Sequence, residues 1–344
     1  MALILFIGAG FGSIIIVNVI QRFCYKKGLV VEPRSDRWHK KPTATFGGVG
    51  IFIAFFISMA ASLVVDKSIL YSHWGIILAS LLAFLLGLLD DIYPISPIIK
   101  ILSQFIIATF VIAAGYTTKF FTPRIPNEYI SLVLNIALTY LWIVGITNAI
   151  NLLDNMDGLA GGISLISSII LSFFFWNTSN QSLLYITMAL AGSVLGFLVY
   201  NFPPASIFMG NSGSSFLGLT LAVLAIAREP QASNLFAVLG VPTLIFLLPI
   251  IDITLVTISR SIEGKSIIQG GVDHTSHRLI AFGFSERKTL ILLFGVAVVA
   301  GISAGLLEYA NYLVSLILVP LMVIVLTILA IYLGGITVRN NRHQ

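Results

Sequence analysis

Long runs of Leu, Ile, Val, Ala and Phe, interrupted at short polar intervals, set the pattern of this chain. A helix crossing a bilayer needs about 20 mostly apolar residues. By that measure about eleven spans are predicted, near 2–21, 46–65, 75–92, 99–116, 129–150, 159–176, 183–201, 214–227, 234–259, 288–307 and 311–335. Lipid offers no hydrogen-bond partner to a backbone N–H or C=O, so each run is predicted as a helix, however rich in Val, Ile and Phe.

Composition agrees with the pattern. The 344 residues are 58% hydrophobic and 10% charged, and the mean hydropathy is +1.01, which excludes a soluble domain of this length. The expected architecture is an all-α polytopic membrane protein, with residues 1–344 forming a single integral membrane domain. The first run has no basic segment ahead of it and no clear cleavage site, so it reads as a retained span. The lone Cys24 permits no internal disulfide.

Charge gives an orientation. The segments 22–45 and 260–288, with Lys100, Arg339 and Arg342, hold fifteen of the 19 basic residues; Lys67, Lys119, Arg124 and Arg228 fall on the other side. The positive-inside rule then places the N-terminus outside and the C-terminus in the cytoplasm. Basic loops of this kind face anionic head groups or an anionic substrate, and give no argument for nucleic acid.

This orientation gathers the polar chemistry at the cytoplasmic rim, in loops near 22–45, 90–98, 148–158, 201–213 and 260–287. Asp90 and Asp91 end the third span, where the helix dipole disfavours carboxylates, so a metal or general-base role competes with a plain solvated helix end. Lys100 and Gln104 follow one turn apart. Asn148, Asn151, Asp154 and Asp157 recur at helical spacing before Gly158, and such oxygen donors suit a hard cation such as Mg²⁺. The run Phe208–Ser214, with Gly210, Asn211 and Ser212, reads as a helix N-terminus able to cradle an anion. His274, His277 and Arg278 form a phosphate grip or a solvated polar loop. A zinc site is a poor reading with one Cys and no third His nearby. Lys41 and Thr43, in a basic loop ending in Gly47-Gly48, would bind phosphate or only enforce topology. Gly8-x-Gly10-x-Gly12 lies inside a span and is no dinucleotide fingerprint.

Together these residues resemble the polyprenyl-phosphate N-acetylhexosamine-1-phosphate transferase superfamily, glycosyltransferase family 4. The resemblance runs from about Arg34 to Arg287. It rests on Lys41-Pro-Thr43 with Gly47-Gly48, Asp90-Asp91 with Lys100, Asn148-x-x-Asn151-x-x-Asp154-x-x-Asp157-Gly158, Phe208-Met-Gly-Asn211-x-Gly-Ser and His274-x-x-His277-Arg278-Leu, in the family's order. It implies ten or eleven helices with an active-site cleft on the cytoplasmic face, in a bacterial inner membrane, with a homodimer as the family precedent. It implies attack of a polyprenyl phosphate on a UDP-N-acetylhexosamine, giving a polyprenyl-diphosphate sugar and UMP, with Mg²⁺ (or Mn²⁺) as cofactor.

By the same resemblance, Asp90, Asp91, Asp154 and Asp157 are catalytic, and Asn151 and Asn211 lie at the metal. Lys41, Thr43, Lys100, Asn148, Gly210, Ser212, His274, His277 and Arg278 bind substrate. The family has Asp where this chain has Asn211, which removes a carboxylate from the metal. An inactivated protein, a variant using Asp154 or Asp157 instead, and a catalytically silent homologue remain open. The spaced histidines resemble the N-acetylglucosamine branch more than the muramoyl-pentapeptide branch, which carries three consecutive histidines. A transporter would place its charges near mid-membrane, where Asp252 is the one carboxylate well inside a predicted span. A lipid-phosphate-binding scaffold is the third class.

Overall fold

The computed structural model describes residues 1–32, 41–64, 66–228, 235–264, 271, 273–310 and 314–316. The chain divides into two compact units, Met1–Gln231 and Ala232–Gln344. The first contains α1 (Ala2–Lys27), β1 (Val30–Val31), β2 (Thr43–Ala44), α2 (Gly47–Ser62), α3 (Ser68–Ser72), α4 (Trp74–Ile92), α5 (Pro97–Ala113), α6 (Glu128–Leu153), α7 (Leu159–Asn177), α8 (Gln181–Asn201) and α9 (Gly210–Ala227). The second contains α10 (Leu235–Ile245), α11 (Leu247–Ile262), α12 (Thr275–Ala281) and α13 (Glu286–Tyr309).

Among the described residues, seven helices are long and apolar enough to cross a membrane: α1, α4, α6, α7, α8, α9 and α13. The chain is therefore an all-α, multi-pass membrane protein. The predicted spans at 46–65 and 99–116 are the apolar but shorter helices α2 and α5. The predicted span at 234–259 is broken, with its halves bent by 79° between Ile245 and Leu247, and it counts as an eighth crossing if the pair is one span. Pro249 explains the break. A proline ring clashes with the carbonyl four residues earlier, here Ile245, yet fits in the first turn of a new helix. The predicted span at 311–335 lies almost wholly outside the described residues.

Local signals set the helix ends. Asn127 and Asn180 cap α6 and α8 by accepting from the N–H groups of Ile130 and Leu183. Ser96 caps α5, with Pro97 in its first turn. Gly28 ends α1 in the left-handed conformation, after Lys26 and Lys27.

In the first unit α9 is the inner helix. Its spanning window is 78% buried, against 22% for α1, whose remaining surface is left for lipid. α9 packs against α2, α4, α6 and α7, and α1 packs against α2 and α8. A side chain on Gly192 of α8 would strike the Phe6 carbonyl of α1, so the small residues here serve close helix approach. Interhelical hydrogen bonds reinforce the packing: Thr220 Oγ1 donates to Ser80 Oγ at 2.8 Å, and Trp142 Nε1 to the Ala222 carbonyl at 3.1 Å.

Candidate active site

Asp90 and Asp91 are adjacent, yet the fold gives them different partners. Asp90 Oδ2 pairs with Lys100 Nζ at 2.5 Å, and its Oδ1 accepts from the Ile95 N–H at 2.8 Å. The short turn into α5 makes this possible, because it folds Lys100 back towards the end of α4. Asp91 crosses to α9. Its Oδ1 accepts from the Asn211 N–H at 2.7 Å and its Oδ2 from the Ser212 N–H at 2.9 Å. The anion cradle expected at Gly210–Ser212 therefore exists, and it holds the protein's own carboxylate. The unfavourable C-terminal carboxylate of α4 meets the positive N-terminal end of α9, and each relieves the other.

Two glycines permit this approach. Gly210 adopts φ 77°, and a Cβ there would lie 2.7 Å from Asp91 Oδ2. A Cβ on Gly87 would strike the Asn211 carbonyl.

The last turns of α6 supply the amides. Asn151 Nδ2 donates to Asn211 Oδ1 at 3.1 Å and to Ser214 Oγ at 2.7 Å. One turn earlier, Asn148 Nδ2 donates to Gln104 Oε1 at 2.6 Å and to the Val144 carbonyl at 2.8 Å, while its Oδ1 accepts from Gln104 Nε2 at 3.4 Å. Asn148 thus braces α6 against the helix that carries Lys100. α6 stops at Leu153, and Asp154 is its C-cap. Asp154 lies deep among protein atoms while keeping part of its surface open. Burial, then the like charges of Asp157 and Asp91, push its carboxyl up to about 7.

Three loops are knitted together beside these groups. Asp157 Oδ2 accepts from the Ala205 N–H at 2.8 Å. Asn201 Oδ1 accepts from the Gly158 N–H, and its Nδ2 donates to the Ile207 carbonyl, both at 2.9 Å. Phe208 N–H donates to the Ala44 carbonyl, while Gly47 and Gly48 donate back to Phe208 and Met209, all at 2.8 Å. Lys41 is exposed at the start of this hairpin; Thr43 is buried and donates to the Lys41 carbonyl at 3.0 Å. Asn201 is a residue that sequence reasoning missed. Its signal was a polar side chain at the end of an apolar span.

The donors here suit a hard cation: the carboxylates Asp154 and Asp157 and the amide oxygens of Asn151 and Asn211. Among the described residues, no three of His, Cys, Asp and Glu come together as a metal site, so a bound ion would draw on amide or substrate oxygens. The crowding that raises Asp154 is the kind of imbalance a divalent cation relieves.

The second unit holds the remaining predicted residues, and they are buried. His274 Nδ1 pairs with Asp252 Oδ2 at 2.8 Å. Arg278 donates through Nε to the Asp273 carbonyl at 2.8 Å and through Nη2 to Ser259 Oγ at 2.7 Å. Burial and the nearby His274 press His277 down to about 4, so it is neutral at pH 7. Burial also lowers Arg278, with Asp273 opposing. The segment is a built structure on α12, not a solvated loop.

Known proteins resemble this chain over most of its length. The family model for glycosyl transferase family 4 matches residues 73–229. A Bacillus subtilis protein named "Probable undecaprenyl-phosphate N-acetylglucosaminyl 1-phosphate transferase" is 33% identical over 92% of this chain and 88% of its own length. A phospho-N-acetylmuramoyl-pentapeptide-transferase of Lactobacillus gasseri is 32% identical over 80% of this chain and 88% of its own. A decaprenyl-phosphate N-acetylglucosaminephosphotransferase of Mycolicibacterium smegmatis is 30% identical over 78% and 72%. With α4, α6 and α9 carrying the shared motifs to one place, the chain belongs to glycosyl transferase family 4, the superfamily of polyprenyl-phosphate N-acetylhexosamine-1-phosphate transferases.

Proposed function

We propose that this protein transfers N-acetylhexosamine-1-phosphate from a UDP-sugar to a polyprenyl phosphate and releases UMP. The observation that carries the reading is the convergence of Asp91, Asn151, Asp154 and Asn211 where α4, α6 and α9 meet. In this reaction an oxygen of the lipid phosphate attacks the β-phosphorus of the UDP-sugar. The bond to the α-phosphate breaks, and UMP leaves. Such transfers need positioning and charge neutralisation more than covalent help from protein.

Each residue has work that suits it. Asp91 fixes the start of α9, and with it the side chain at 211. Lys100, paired with Asp90 and partly exposed, offers its remaining donors to a phosphate. Exposed Lys41 does the same from the hairpin. Asp154, Asp157, Asn151 and Asn211 would hold Mg²⁺. Bound there, the ion would neutralise the diphosphate and the developing charge on UMP. Asn211 supplies a neutral oxygen in place of a carboxylate, which weakens that hold.

N-acetylglucosamine is the proposed sugar. Two of the relatives named above act on it by name, and His274 and His277 are separated by two residues. The likeness to the Lactobacillus gasseri protein favours phospho-N-acetylmuramoyl-pentapeptide as the second reading. The proposed setting is a bacterial inner membrane crossed about eleven times, with the N-terminus outside and the site on the cytoplasmic face, and a homodimer as the assembly. The test is UMP release from UDP-N-acetylglucosamine with undecaprenyl phosphate and Mg²⁺. Release that requires the lipid phosphate supports the reading, and binding of both substrates without release by this chain or its Asn211→Asp form contradicts it.

A further inference from the structure

A buried carboxylate in an apolar helix is costly unless something compensates it. Asp252, on α11, is 1% exposed and directs both oxygens at one short segment. Its Oδ2 meets His274 Nδ1 at 2.8 Å, and its Oδ1 accepts from the Thr275 N–H at 2.7 Å. Two turns further along α11, Ser259 accepts from Arg278 at 2.7 Å, and Arg260 pairs with Asp273 at 2.7 Å. Positions 252, 259 and 260 share one helix face by their spacing. That face therefore grips the 273–278 segment at both ends.

The chemistry at His274 follows. A carboxylate only accepts, so Nδ1 carries the proton, and Nε2 is the ring atom left for a ligand. We propose that Asp252 is a positioning residue of the transferase: it holds His274 with Nδ1 protonated and Nε2 available to a phosphate of the nucleotide-sugar. This rests on the transferase reading above, together with the substrate-binding role that the family resemblance gives His274. Asp252 itself touches no substrate and acts through His274.

The test uses the full chain in lipid nanodiscs, with UDP-N-acetylglucosamine binding followed by calorimetry, so that it does not depend on turnover. Asp252→Asn and His274→Gln are each expected to raise Kd ~10-fold, the scale of a lost charge-assisted hydrogen bond. The double variant is expected to bind no more weakly than the worse single one, because both changes break one unit. A merely structural Asp252 would instead give multiplying losses. In ¹⁵N-histidine spectra, the hydrogen-bonded Nδ1–H signal absent from His274→Gln is also expected to be absent from Asp252→Asn. If Asp252→Asn does not fold, Asp252→Glu replaces it and is expected to bind severalfold more weakly than the parent.

Parent-like binding by either Asp252 variant, with clear binding by the parent, overturns the proposal and leaves the transferase reading intact. Multiplying losses in the double variant also overturn it. Failure of the parent and its Asn211→Asp form to bind the nucleotide-sugar overturns both.

Discussion

The two units treat their buried charges in opposite ways. In the second unit the charged groups around 273–278 are matched by protein groups: Asp252 with His274, Arg260 with Asp273, and Arg278 with Ser259 and a backbone carbonyl. In the first unit Asp90 and Asp91 are matched by Lys100 and the start of α9, while Asp154 is pushed to about 7 by burial and by its acidic neighbours. Matched charge builds shape. Unmatched charge marks where something from outside must bind.

Removing a matched group is expected to have the largest effect. Asp91→Ala leaves the Asn211 and Ser212 N–H groups without their acceptor, at about 1–3 kcal/mol for each buried group. A fall in Tm of several degrees and loss of UMP release are expected. Asp91→Asn, which keeps one acceptor, is expected to fall less. Unchanged melting of Asp91→Ala would show that the pairing does not hold α9.

Asp154 tests the unmatched side. Its folded pKa lies above the ordinary 3.8, so the native state holds a proton that the unfolded chain releases. The stability it contributes is full below about 4 and is lost as pH rises through about 7. Without divalent cations, Tm is expected to fall as pH rises from about 4 to about 7, and Asp154→Asn is expected to flatten the fall. Mg²⁺ is expected to raise Tm at the upper end in the parent and not in Asp154→Asn.

His277 gives a smaller effect of opposite sign. Its pKa drops from 6.5 to about 4 on folding, so the stability it contributes is present above 6.5 and is lost as pH falls towards 4. His277→Gln is expected to reduce the acid destabilisation. The same substitution should leave the salt dependence of nucleotide binding unchanged, since the ring carries no charge at pH 7. The smallest effect belongs to the Gln104–Asn148 amide pair. Gln104→Leu is expected to cost about 1 kcal/mol, read by thermal unfolding, with a modest rise in KM for the substrate that Lys100 holds.

What the sequence revealed divides along the range of each interaction. Seven of the predicted spans were legible among the described residues because about 20 apolar residues are needed wherever a helix crosses lipid, while those at α2 and α5 are shorter helices. Asn148, Asn151 and Asp154 were legible because helical spacing brings them near one another. Asp91 was legible as important but not as the cap of α9, which lies 120 residues away. Asn201 and the pairing of Asp252 with His274 were hidden for the same reason: the partners lie in other segments. The break at Ile245 matches the kink that Pro249 favours, although Pro242 sits inside α10 without ending it.

The proposed phosphoryl-transfer site at the junction of α4, α6 and α9 depends for its cation on position 211. The most direct measurement is Mg²⁺-dependent UMP release from UDP-N-acetylglucosamine and undecaprenyl phosphate, made side by side on this chain and on Asn211→Asp. Faster release from the Asp form, by ~10-fold or more, is expected, because a hard cation in such a site relies on one or two carboxylates. Equal release from both would contradict the assignment of position 211 to the metal, and release from neither, with both substrates bound, would contradict the transferase itself.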